Sequence, residues 1–332
     1  MRKNSNTSLK TFCQALKRYD RFLLSCHVTP EGDAIGSMLA MDSLLHRLGK
    51  QTTVVCQDEF PKRLPCLSDK RWKQVEEVRK PLGHYQALVV TDCPTIERIG
   101  KVRTLLTPET VIFNIDHHIS NLYYGHYNYV RPEGSATAEV VVDIFKGLKQ
   151  KPTKEDALNL YVGITTDTGS FKYSNTTVRS HQVAAELIKT GIDIAKINDQ
   201  LYSTYSLNKI NLLSRLFSRV RTTANGAVAW VEMRNQDLVH SGATYEDAEG
   251  FIDYLRYMKE VQIAFFMIEM PKSKTVRVSF RAKGDYDVNN IATCFDGGGH
   301  KKASGCVVSG SLKDVEREIL QRVRLELKTP QK

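Results

Sequence analysis

The sequence predicts an α/β protein: a mainly parallel, helix-covered sheet followed by a smaller mixed α/β C-terminal domain. Three observations carry this. Four short apolar runs in the first half alternate with helical segments. Three of those runs end in a polar or acidic residue: His27, Asp92 and Asp116. Near residue 222 the character changes, and strand-like runs mix with helices. At 332 residues the chain is long for one core and suits two domains.

The elements follow in order. Residues 22–28 (FLLSCHV) form a short apolar run with turn residues behind it, a buried strand. Residues 33–48 read as a helix, with Ile35, Met38, Leu39, Leu44, Leu45 and Leu48 mostly at helical spacing. Residues 52–56, 87–92 and 111–116 read as further strands. Strand–helix alternation of this kind gives a parallel sheet, and ligands collect beyond the carboxyl ends of its strands. Residues 135–201 are mostly helical, interrupted by GITTDTGSFKYSNTT around Asp167. Residues 206–220 carry only positive charges and read as a helix leading into a linker. The expected division is therefore 1–205, a linker helix at 206–221, and 222–332. In the last part, 228–233, 261–270 and 276–281 are strand-like, with helices near 245–258 and 312–327.

Composition narrows the function classes. With 41% hydrophobic and 25% charged residues the chain is ordinary for a soluble protein. Its longest apolar runs, such as 264–268, are too short to span a bilayer, so no membrane partner is expected. The opening MRKNSNTSLK leads into no apolar stretch, which argues against a secretory signal. Seven scattered cysteines without a CxxC pair read as thiols in a reducing compartment, hence a cytoplasmic location. The surplus of 47 Lys and Arg over 37 Asp and Glu gives +10 and favours anionic partners.

Four separated segments carry candidate ligands: HVTPEGDAIGS (His27, Glu31, Asp33), VVTDCP (Asp92), IDHHISN (Asp116, His117, His118) and GITTDTGSF (Asp167). Each lies at a predicted strand end or adjacent turn, so the sheet can gather them. Carboxylates in one crevice repel and raise each other's pKa unless something positive lies between them. Two divalent ions are the expected answer, making a hydroxide that attacks phosphorus. Oxygen-rich ligands with imidazole and no thiolate favour Mn²⁺, with Mg²⁺ or Fe²⁺ as alternatives. Taken singly, Asp33 is explained as a helix cap and a histidine as a half-buried neighbour. Taken together, an Asp-His-His triplet and a His-x-x-x-Glu-x-Asp turn at two strand ends favour the metal site.

These four segments resemble, in order, the signature segments of the DHH-family phosphoesterases. The similarity continues through VSFRAKGDYDVNNIA and GGGHKKASG, which resemble the Arg-bearing strand and GGGH loop of the DHH-associated C-terminal domain. The nearest subgroup is the compact nano-RNase / 3′-phosphoadenosine 5′-phosphate (pAp) phosphatase type. The resemblance implies His27, Glu31, Asp33, Asp92, His117 and Asp167 as metal ligands, with Asp92 as the bridge. It implies that Asp116 orients a neighbouring histidine and that His118 faces the substrate phosphate as donor or general acid. Many members carry Asp where this chain has Glu31, a change that keeps the charge and adds one methylene. The resemblance also implies that the C-terminal domain closes over the metal site and limits substrate length.

In that second half, Gly297, Gly298 and Gly299 let backbone N–H groups approach a phosphate as an anion-binding nest. Arg281 can hold a phosphate bidentately, and Lys301, Lys302 and His300 strengthen the anion-site reading. Ser170, Lys172, Asn175 and Thr177 are expected either along the phosphate path or in a plain polar turn. Ser135, Thr137 and Glu139 read as a helix start with a capping box. Tyr123, Tyr124, Tyr127 and Tyr129 read as packing at a sheet edge. The expected function is a metal-dependent 3′-to-5′ exonuclease of short RNA that also dephosphorylates pAp. A cyclic di-AMP or pApA phosphodiesterase is the alternative, and a catalytically silent nucleotide-binding module the rival from another class. A homodimer is the assembly expected.

Overall fold

The structure, a computed structural model, describes residues 5–68, 70–78, 85–202, 205–223, 225–270 and 273–328. It divides into two compact units, residues 1–204 and 205–332.

Among the described residues, the first unit is built on six strands: β1 (Arg21–Cys26), β2 (Gln51–Cys56), β3 (Trp72–Gln74), β4 (Ala87–Thr91), β5 (Val111–Asp116) and β6 (Tyr127–Val130). They lie in the order β3-β2-β1-β4-β5-β6, and every neighbouring pair is parallel. Both faces are covered. Phe22, Leu24, Val89 and Phe113 enter one core, while Leu23, Leu88 and Val90, one residue out of phase, enter the other. That double burial is why these strands read as unbroken apolar runs. Phe113 anchors the larger core, stacked on Tyr127 at 4.9 Å and edge-on to Phe12 at 5.4 Å. Two of the strands are not foreseen by the sequence reading. At three residues, β3 is too short for periodicity to register. Of the tyrosines expected to pack at an edge, Tyr127 and Tyr129 lie in the edge strand β6 itself, while Tyr123 and Tyr124 precede it.

The larger core is closed by α1 (Leu9–Leu16), α2 (Gly32–Arg47), α3 (Thr137–Gly147), α4 (Lys154–Asp167), α5 (Val178–Ile188) and α6 (Ile194–Tyr202). A run of 3₁₀ turns at Ile96–Leu105 covers the opposite face. Helix α2 is buried along most of its length, so its apolar residues surround it instead of forming one stripe. It packs on α4 at close range. A Cβ at Gly163 would sit 2.8 Å from Asp33 Oδ1, so only glycine fits there.

Among its described residues the second unit also has six strands: β7 (Arg221–Thr222), β8 (Val228–Met233), β9 (Ile263–Met270), β10 (Thr275–Ala282), β11 (Gly298–His300) and β12 (Ala303–Ser309). Their order is β11-β12-β10-β9-β8-β7, antiparallel except for the parallel pair β8–β9. The helices are α7 (Leu207–Phe217), α8 (Asn235–Ser241), α9 (Phe251–Tyr257), α10 (Val288–Thr293) and α11 (Leu312–Lys328). Helices α10 and α11 pack on one face, while α7, α8 and α9 pack on the other. The expected linker helix is corrected here. Its Leu212, Leu213 and Leu216 are buried with Val231, Phe251 and Phe266, so α7 is a core element of this unit. Among the described residues no helix is long and apolar enough to cross a membrane.

Candidate active site

The site follows from the strand order. The chain leaves β1 toward β2 and β4 toward β5, in opposite directions, so a crevice opens where those two strands end. His27 comes immediately after β1, Asp92 immediately after β4, and Asp116 closes β5. Asp33 lies in the first turn of α2, and Asp167 is the last residue of α4. Asp92 adopts a left-handed backbone (φ 56°), which an aspartate tolerates better than most residues. Its N–H still bonds Ile115 O at 2.9 Å.

Two histidines are set in the same way. His27 Nδ1 donates to Val28 O at 2.8 Å, leaving Nε2 facing Glu31 Oε1 at 3.2 Å and Asp92 Oδ2 at 3.5 Å. His117 Nδ1 donates to Gly134 O at 3.2 Å, and its Nε2 faces Asp167 Oδ2 at 3.5 Å and Asp92 Oδ1 at 3.6 Å. Asp33 Oδ2 lies 4.0 Å from the same nitrogen. A carbonyl on Nδ1 fixes the tautomer and aims the other nitrogen, the usual support of a metal-binding imidazole. Among the described residues, three groups have donor atoms close enough to share an ion: His27, Glu31 and Asp92; Asp33, His117 and Asp167; Asp92, His117 and His118. Asp92 offers one oxygen to each side.

The electrostatics call for a cation. Burial pushes the Asp33 carboxyl well above its usual range, and repulsion from Asp92 and Asp167 adds to it. Burial, with Asp92 and Glu31 nearby, lifts Asp167 to about 7 although His117 opposes it. Burial disfavours charge on His27, but bonding to Asp92 and Glu31 outweighs it and raises its pKa to about 10. For His117, Asp92, Asp33 and Asp167 overcome burial and raise it to about 9. Asp92 is drawn below its usual range because three histidines outweigh its own burial. The imidazoles thus keep protons to neutralise the carboxylates. Divalent ions can take over that work, and the oxygen-plus-imidazole donor set fits them.

Asp116 stands behind this cluster. Its Oδ1 accepts from His118 Nδ1 at 2.7 Å, from His117 N at 2.8 Å and from His118 N at 3.2 Å. Hydrogen bonding to Asp116 and attraction to Asp92 outweigh burial and raise the His118 pKa. Asn121 was not singled out by the sequence reading, yet its Nδ2 donates to Asp116 Oδ2 at 2.5 Å. Its signal was position alone, three residues beyond His118.

The remaining first-unit candidates fall into place. Ser135, Thr137 and Glu139 do start α3, but no capping box forms. The N-cap is Ala136, and Ser135 Oγ bonds Glu139 Oε1 at 2.5 Å. Thr137 instead touches the site, its Oγ1 donating to Asp92 Oδ1 at 2.9 Å. Asn175 Nδ2 donates to Asp167 O at 3.1 Å, whereas Thr177 merely caps α5 with Ser180. Ser170 lies three residues beyond Asp167 in a left-handed turn, and the Lys172 side chain is exposed.

Of the second-unit candidates, Arg281, Gly297 and Gly298 line an open depression of about 660 Å³, together with Arg277, Ser279 and Gly305. Arg277, Ser279 and Arg281 alternate along β10, so they share one face. Arg277 was missed because only its register with Arg281 reveals it. Arg281 Nε lies 3.5 Å from Asp253. The expected glycine loop is corrected: residues 298–300 form an edge strand paired with β12. A Cβ at Gly299 (φ 148°) would come within 2.6 Å of Ala303 O, and one at Gly297 within 2.3 Å of Gly305 O. Those two glycines close the hairpin, while Gly298 has open space. Lys302 Nζ is occupied by the Gly284 and Tyr286 carbonyls. The His300 side chain lies outside the described residues.

A doubly wound parallel sheet with carboxylates and imidazoles at its switch point, joined to a mixed-sheet unit, is the build of a phosphoesterase-class hydrolase. The chain belongs to the DHH family: residues 21–164 match the DHH family, N-terminal domain, and residues 224–329 match the DHHA1 domain. It is 32% identical over 306 residues to the bifunctional oligoribonuclease and PAP phosphatase NrnA of Thermus thermophilus, covering 92% of this chain and 89% of that one. The protein of the same name from Bacillus subtilis is 28% identical, over 89% of this chain and 91% of its own. The fold matches a solved exopolyphosphatase-related protein from Bacteroides fragilis, with TM-score 0.89, 24% identity, and 96% and 97% of the two chains covered.

Proposed function

We propose that the protein is a metal-dependent phosphoesterase that degrades short oligoribonucleotides and removes the 3′-phosphate of pAp. The observation that carries this is the paired aim of His27 and His117, each held by a carbonyl and each facing one oxygen of the same Asp92. In this reading His27, Glu31 and Asp92 hold one ion. Asp33, Asp92, His117 and Asp167 hold a second, with Mn²⁺ the favoured metal and Mg²⁺ or Fe²⁺ the alternatives. When bound, such ions polarise the phosphoryl oxygens and activate water. His118, oriented by Asp116, serves as proton donor to the leaving oxygen. Arg281, in the depression it shares with Gly298, grips the nucleotide's phosphate, with Ser170 and Lys172 beside the first-unit site. The names of the relatives from T. thermophilus and B. subtilis support the substrate pair. Seven unpaired cysteines support a reducing, cytoplasmic setting.

The test is a side-by-side panel with Mn²⁺: pAp, RNA dinucleotides through pentamers, a long RNA, pApA and cyclic di-AMP. The fastest turnover is expected on the short RNAs and pAp, with activity abolished by EDTA. Faster cleavage of cyclic di-AMP or of long RNA would overturn the substrate assignment. Sedimentation of the same preparation tests the homodimer.

A further inference from the structure

The segment Ser135–Ala138, at the start of α3, contains no carboxylate, imidazole or thiol, yet it bonds two of the four carboxylates assigned to metal. Thr137 N donates to Asp33 Oδ2 at 2.6 Å and Ala138 N to Asp33 Oδ1 at 2.9 Å. The positive end of an 11-residue helix thus faces that buried carboxylate. Ser135 O accepts from Asn175 Nδ2 at 3.0 Å, and the same amide donates to Asp167 O at 3.1 Å. Thr137 Oγ1 donates to Asp92 Oδ1 at 2.9 Å. Ser135 and Thr137 are both fully buried.

We propose that Thr137 is a positioning residue that sets the rotation of Asp92 so that its two oxygens serve two different ions. A threonine hydroxyl has one hydrogen to give, and here it goes to Oδ1. That bond holds Oδ1 on the side of His117 and His118, 3.6 Å from each, and leaves Oδ2 facing His27 at 3.5 Å. Aspartate's terminal torsion is broad and soft, so without the hydroxyl the carboxylate can turn and fail one of the two groups. Because the Thr137 N–H also holds Asp33, one residue locks the bridging carboxylate to a carboxylate of the second ion's set. The proposal rests on the reading of Asp92 as the shared ligand.

Metal-stripped wild type, Thr137→Val and Thr137→Ser are titrated with Mn²⁺ by calorimetry and by the electron paramagnetic resonance of the free ion. Wild type is expected to take up two ions. Thr137→Val, which keeps the shape and loses the hydroxyl, should bind at least one ion 10–100-fold more weakly, the usual cost of losing a group that orients a ligand. Its metal-free melting curve should stay cooperative. Thr137→Ser should restore affinity to within about threefold, because it keeps the donor. If valine is not tolerated, Thr137→Ala gives the same readout without added bulk. Wild-type stoichiometry and affinity in the hydroxyl-free variant would overturn the proposal alone. A wild type that binds none of Mn²⁺, Mg²⁺ and Fe²⁺ would overturn the metal reading, and the proposal with it.

Discussion

The first unit keeps most of its functional groups dry: Asp33, Asp92 and Asp116 are at most 1% exposed, packed among three histidines at the end of a parallel sheet, with Glu31 exposed at the rim. The second unit keeps its groups nearer the solvent, with Arg277 exposed and Arg281 half-buried beside Asp253 on one face of β10, next to a glycine-edged hairpin. Buried like charges are tolerated only when each is fixed by partners, which accounts for the dense bonding around Asp33, Asp92 and Asp116. Solvated cations need no such frame and contribute in proportion to their contact with a ligand. Substitutions in the first unit should therefore abolish the chemistry, and those in the second should grade the binding.

The sharpest break is Asp92→Ala. It removes the carboxylate proposed to serve both ions, and kcat should fall by about 10³-fold or more, the scale of losing a preorganised electrostatic group. Mn²⁺ stoichiometry should drop together with activity. A variant with near-normal turnover would mean that the two units do not differ as described.

Next comes pH. With pKa values of about 10 and 9, His27 and His117 are protonated at pH 7.5, and metal binding requires both imidazoles neutral. Mn²⁺ uptake should release at least two protons at that pH, because the raised pKa values of Asp33 and Asp167 add to those of the imidazoles, and affinity should climb steeply between pH 7 and 9 before flattening. Calorimetry in buffers of different ionisation enthalpy counts the protons. The same shifts are upward, so their stabilisation of the metal-free fold is complete below the ordinary histidine pKa. It is lost as pH rises through 9 to 10. Melting of the metal-free protein should therefore decline over that range, and the Mn²⁺-loaded protein should resist the decline.

Smaller effects are expected from the second unit. Arg281→Ala should raise KM for a dinucleotide about tenfold with kcat nearly unchanged, and Arg281→Lys should recover only part of it, since an ammonium cannot make the bidentate contact. A collapse of kcat would place Arg281 with the buried machinery instead. The smallest changes separate the hairpin glycines. Gly299→Ala, forced into a positive φ and against Ala303 O, should destabilise the protein by about 1–3 kcal/mol. Gly298→Ala meets nothing nearer than 4.0 Å and should leave the melting temperature unchanged while raising KM slightly. Denaturant unfolding of both variants measures the contrast.

Much of this was legible in the linear sequence. Continuous apolar runs ending in His27, Asp92 and Asp116 announce a doubly covered parallel sheet, because burial on both faces removes alternation and strand ends carry function. Those residue types also specify the chemistry, since oxygen and imidazole donors select hard divalent ions. Other features were not legible because they depend on pairs brought together by folding. The Thr137 bonds to Asp92 and Asp33 join residues 45 and 104 positions apart. GGGH looks like a flexible loop until β12 pairs with it, and the basic α7 looks like a linker until its leucines meet the second sheet. Sequence by itself determined the elements and the donor inventory, which are local properties of spacing and side-chain chemistry. Tertiary structure alone decided which oxygen of Asp92 faces which histidine, and which backbone N–H groups hold Asp33, because hydrogen-bond direction exists only once distant segments share a crevice.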